Sequence, residues 1–163
     1  MADCLIYWKD CSVELNEFTS DTLGPWNFHY LSKSRYLFDQ IERRENLWIV
    51  IFDVDPPPGD WLLIERLSVT EKKHRPEFAR PYQIVGDPKK SVVFDIRKQS
   101  DITDVLHKLN FVTGKTILAG GAKISQSLQT YRPLTSGDST LLQQYSKDLP
   151  TVSRLSEMLP TQI

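Results

Sequence analysis

Apolar residues fall into short unbroken runs over the first two thirds of the chain and into helical spacing over the last third. Cys4–Trp8, "CLIYW", reads as a buried strand, and "LWIVIFDV" at 47–54 as a central one, because apolar residues continue without alternation. "DPPPGD" at 55–60 is a turn, since three prolines remove three backbone donors. "WLLIERLSV" at 61–69 resumes as a strand, so 47–54 and 61–69 form a hairpin with a stiff loop. Two more strands, 82–85 and 91–96, flank the turn signal "GDPKK". Further on, Ile102, Val105, Leu106 and Leu109 share one helix face, with Ser100 or Asp101 as cap. Ile124, Leu128 and Tyr131 repeat that spacing more briefly. "TSGD" at 135–138 is a capping-box pattern ahead of Leu141, Leu142, Tyr145 and Leu149, and Pro150 ends that helix. In "TLGPWNFHYLSKSRYLFDQI", residues 22–41, the spacing of Leu37, Phe38 and Ile41 predicts a helix over 31–42, approached by a loop over 26–30. The class is α+β, with an antiparallel or mixed sheet joined by hairpin-length loops that leave no room for crossovers.

The 163 residues suit one domain, here 1–150 with a helical part from about 100 onward, followed by a loosely held tail at 151–163. Hydrophobic residues make up 40% and charged residues 25%, the balance of a globular chain. The net charge of −1 excludes a chain-wide basic field. Locally the picture differs. Residues 1–31 set Lys9 against Asp3, Asp10, Glu14, Glu17 and Asp21, whereas 71–98 carry eight lysines and arginines against four acids, a net of +4. That stripe is compatible with a polyanion, but its plainer reading is a solvated hairpin face. Cys4 and Cys11 make no disulfide framework, and Cys4 lies in an apolar run where a thiol is inert. The start of the chain lacks a basic segment followed by a long apolar one, and the longest apolar run, 47–52, is too short to span a bilayer. The expectation is a cytoplasmic protein with no membrane contact.

Motifs for catalysis are missing. "VTGKT" at 112–116 has Leu109 where a phosphate loop needs glycine. His29, His74 and His107 have no partner at metal-ligand spacing. Asp53, Asp55, Asp60 and Glu65 surround a proline turn, where aspartate serves the backbone, and Leu67 takes the place of the lysine a nuclease motif requires. No cofactor and no enzymatic activity are expected. Aromatic residues say more. Trp48 and Trp61 read as core, whereas Trp26 follows Gly24-Pro25 in a loop and precedes Asn27, whose amide both donates and accepts. Such a ring can stack a flipped or single-stranded base.

The apolar first strand, "GPWN", the helix with "SRYLF" and then "LWIVIFD" resemble the PUA-like superfamily, which includes EVE, ASCH and YTH domains and the SRA readers of modified DNA. The resemblance spans about residues 3–110 and departs at "RREN", 43–46, where glycine-aspartate is usual. The "ISQSLQTYRPLTSGDSTLLQQY" stretch resembles a tail found on restriction- or endonuclease-associated bacterial proteins. The resemblance implies a twisted β-barrel of about five to six strands with flanking helices, and binding of DNA or RNA without catalysis. It implies that Trp26 walls a modified or flipped base, with Trp8 beside it, and that Asn27 and Ser32 bond the base edge. Lys33 and Arg35 would contact phosphates, the basic 72–98 segment would extend the track, and Arg132 would reach the nucleic acid or close a joint within the chain. The alternative is a protein-interaction module of adaptor or immunity type, with exposed aromatics as hot spots.

Overall fold

A computed structural model describes residues 2–9, 28–54, 57–114, 124–128, 131–153 and 155–158. In chain order the elements are β1 (Cys4–Tyr7), β2 (His29–Ser32), α1 (Arg35–Gln40), β3 (Asn46–Asp53), β4 (Asp60–His74), β5 (Tyr82–Gly86), β6 (Val92–Phe94), α2 (Thr103–His107), α3 (Ile124–Ser127), β7 (Arg132–Pro133), α4 (Ser136–Ser146) and β8 (Thr151–Val152). The class is α+β with a mixed sheet of eight strands.

β3 is apolar without alternation because both of its faces are covered. Leu47, Ile49 and Ile51 enter one core with Cys4, Ile6, Ile64 and Ile84, and α1 adds Leu37. Trp48 and Val50 enter a second core with Leu5, Trp61 and Leu63, which α2 and α4 cover with Leu106 and Leu142. Trp48 and Trp61 are buried, as their runs predict.

The hairpin of β3 with β4 forms as expected, Asp53 opposite Asp60 and Asn46 opposite Ser68. β1, however, runs parallel to β3, with Cys4 beside Leu47. This corrects the expectation of no crossovers: the connection is supplied by the chain between them, which carries β2 and α1. Residues 82–96 also differ from a simple hairpin. β5 and β6 do not pair with each other. Both lie antiparallel on the same edge of β4, β5 against 69–74 and β6 against 65–66. The "GDPKK" turn is an insertion between them, and it still serves β4: the Ser68 N–H donates to Ser91 Oγ at 2.9 Å and Asp87 N–H to the Ser68 carbonyl at 2.8 Å. Beyond β6 the side chains take over. Leu63 N–H donates to Gln99 Oε1 at 3.0 Å and Trp61 N–H to Asp101 Oδ1 at 2.7 Å. Asp101 therefore closes the edge of β4 instead of capping α2, whose N-cap residue, Ile102, makes no side-chain capping bond. One continuous stretch thus satisfies the second edge of a strand 15 residues long.

The strands follow an open path with β2 at one end and β7 at the other, and no closure into a barrel is seen among the described strands. The end of the chain corrects the expectation of a loose tail from 151. β8 pairs with β6, and Leu155 and Met158 are buried in the first core. Apolar residues two turns beyond a helix-ending proline were enough to bring the chain back. The predicted helix over 31–42 is shorter, and its first residues are β2, because Tyr30 and Leu31 pair with Ile84 and Gln83 of β5. The capping box forms as written: Asp138 N–H donates to Thr135 Oγ1 at 3.0 Å, and Thr135 N–H to Asp138 Oδ2 at 3.1 Å.

Candidate functional site

The residues singled out from sequence do not gather in one place. Trp26 and Asn27 lie outside the described residues. Trp8 is 3% exposed, a core residue packed edge-on against Tyr30 at 6.0 Å, so it presents no face to a ligand. Its large apolar area, placed straight after an apolar strand, explains the burial. Ser32 is buried too, and its Oγ accepts from the Ser34 N–H at 2.8 Å, which turns the chain from β2 into α1. Lys33 and Arg35 are exposed, Arg35 pairing with Asp39 at 3.3 Å along one face of α1. Arg132 closes a joint within the chain: its Nε donates to the Ser127 carbonyl at 2.6 Å, and the guanidinium lies 5.8 Å from the centre of the Phe111 ring.

What the fold does gather is a run of rings and cations at the free end of β4 and β5. Strand pairing sets His74 opposite Tyr82, and their rings stack at 5.0 Å with planes 8° apart. Tyr82 also meets Phe38 of α1 at 5.1 Å. Lys72 Nζ donates to the Phe38 carbonyl at 2.7 Å and sits 5.0 Å from the centre of its ring, fastening α1 to the ribbon. Past β4, Arg75 N–H donates to the Pro81 carbonyl at 2.7 Å and Phe78 N–H to the Arg75 carbonyl at 3.1 Å. That closed loop carries Phe78, 48% exposed, with the Arg75 guanidinium 4.1 Å from its ring centre. Lys73–Glu71 at 3.9 Å and Arg75–Glu77 at 4.0 Å are solvent-exposed pairs, weak enough to yield to a stronger anion. The signal for it in the sequence is the interleaving of rings and cations in "KKHRPEFARPY", 72–82, beyond the charge alone.

On the other face of the same ribbon, the Gln83 amide lies 2.5 Å from His29 Nδ1. Burial, and secondarily Lys73, hold the His29 imidazole down to about 4, so it stays neutral and Nδ1 accepts. Cys4 is inert as expected: burial, with Glu45 and Asp3 nearby, pushes its thiol up to about 12. Two concavities lie elsewhere. One of about 480 Å³ is lined by Lys108, Asn110, Ser136 and Gln144, and one of about 320 Å³ by Arg66, Phe94, Gln143 and Lys147. Neither contains a residue predicted to bind. Among the described residues no cluster of three His, Cys, Asp or Glu is placed to hold a metal ion, and no helix is long and apolar enough to cross a membrane.

The chain matches no family model, no curated protein and no solved structure. The ring-and-cation end of the ribbon therefore stands on its own geometry.

Proposed function

We propose that this chain is a nucleic-acid-binding module without catalysis, and that the sugar–phosphate backbone runs along the β4–β5 ribbon. The observation that carries this reading is the gathering of His74, Tyr82 and Phe38 with Lys72, and of Phe78 with Arg75, at one end of the β4–β5 ribbon. Flat rings take bases and cations take phosphates, and both are needed in one place. Lys33 and Arg35, at the start of α1, extend the positive surface on the side of Phe38. The PUA-like assignment belongs to this proposal. A mixed sheet with helices on both faces is compatible with it, and the open strand path is the feature that a barrel would have to close. Reading of a modified or flipped base by Trp26 and Asn27 is a separate part of the proposal, because His29, the first residue of β2, pairs with Val85 at the end of β5 away from Tyr82.

Fluorescence anisotropy against labelled DNA and RNA oligonucleotides at two salt concentrations tests the reading. Binding should weaken steeply with salt through counterion release, and each phosphate-contacting cation removed should reduce the log–log slope by about 0.7–0.9. No binding at low salt would sink it. The second reading, a protein-interaction module, is favoured by the net charge of −1 and by Tyr36, 62% exposed on α1.

A further inference from the structure

We infer that the ligand of this ribbon is single-stranded, with Phe78 as a stacking platform for a base. The inference rests on the nucleic-acid reading above and names the class of substrate. A β-ribbon that reads duplex DNA sits in the major groove and presents hydrogen-bonding side chains to base edges. Here the end of the ribbon presents ring faces instead. Gln83, the amide within the ribbon, is buried and engaged with His29. Base faces are hidden in a stacked duplex and open in a single strand, which is where exposed ring faces have their most direct use. The two stacks already begun set the direction. Tyr82 covers one face of the exposed His74, and Arg75 covers one face of Phe78, which leaves an outward ring at each position. The loop is pre-set by its own backbone bonds and by Pro76 and Pro81, so little ordering is required on binding.

The test compares a single-stranded oligonucleotide of mixed sequence with its duplex, using the whole chain and the variants Phe78→Ala and Phe78→Tyr. Phe78 is half exposed in a loop, so Phe78→Ala should keep the melting temperature of the parent. The expected result is preference for the single strand and a loss of about 5- to 150-fold in its affinity on Phe78→Ala, as one stacked base is worth. The salt slope should stay unchanged, and Phe78→Tyr should bind like the parent. Equal binding of duplex and single strand, or an unaltered affinity in Phe78→Ala, overturns this inference while leaving nucleic-acid binding in place. Failure to bind either form overturns the underlying reading instead, and capture of a specific protein partner would then take its place.

Discussion

Glu65 offers the most direct quantitative test of the fold. In the β3–β4 pair the register passes from Ile49–Glu65 to Val50–Leu63, so Ile64 is an extra residue in β4. The bulge turns Glu65 toward the face of Ile49, between Ile49 on one side and Val93 on the other. Glu65 is 0% exposed, and both carboxyl oxygens lack a hydrogen-bond partner. Burial alone pushes its carboxyl well above the usual range. Below the pH at which an unfolded glutamate titrates, about 4.3, both states hold the proton and the group has no effect. Above it the unfolded chain releases the proton and the folded chain retains it. Stability then falls by about 1.4 kcal/mol per pH unit until the folded carboxyl ionises. His29 acts in the opposite sense between 6.5 and about 4, since its depressed value removes stability as pH falls through that window. Urea unfolding of the parent and of Glu65→Gln, measured from pH 5 to 8, separates the two, because the difference between them cancels His29. The expected difference changes by about 1.4 kcal/mol per pH unit from the acid end of that range and levels off once the folded carboxyl ionises, and Glu65→Leu should be more stable than the parent by about 1–3 kcal/mol at neutral pH. Parallel pH profiles for the parent and Glu65→Gln would refute a neutral, unpaired carboxyl in the core.

Two further substitutions probe the joints that hold the second core and the end of the chain. The Asp138 carboxylate accepts from the N–H groups of Asn110, Phe111 and Thr135, so Asp138→Ala strands three donors. It should lower the free energy of unfolding by about 2–4 kcal/mol in a denaturant titration. Met158→Ala empties a fully buried position in the first core and should cost about 2–5 kcal/mol; a thermal melt unchanged from the parent would restore the loose-tail view.

The central strands and α4 were legible because each carries a local signature: an unbroken apolar run, three prolines in a turn, a reciprocal cap. Pairing was not. Nothing in "CLIYW" says that it lies parallel to β3, and nothing in "GDPKK" says that its flanking strands share a third strand. Those are long-range choices made by which faces need covering. Asp101 misled for a related reason. An aspartate before a helical face suits a cap, yet the open edge at Trp61 was the stronger claim on it. At the candidate site the failure has the same origin. Ser32 and Trp8 look available in a one-dimensional reading, and only packing shows that one turns the backbone and the other fills the core. The ring at Phe38 meets that of Tyr82, itself stacked on His74, through tertiary contact between α1 and the ribbon, which spacing along the chain does not encode.

β1 has a consequence for how the molecule is made. Residues 4–7 are made well before their neighbours in the sheet, residues 47–50 and 132–133, and before Met158, which shares a core with Cys4 and Ile6. At about 5–20 residues per second, the stretch from β1 to Met158 takes on the order of ten to thirty seconds to make. Through most of that interval β1 has one edge unmated and its apolar side chains uncovered. Vectorial synthesis therefore cannot finish this sheet piece by piece: β1 waits, exposed, for β7 and Met158.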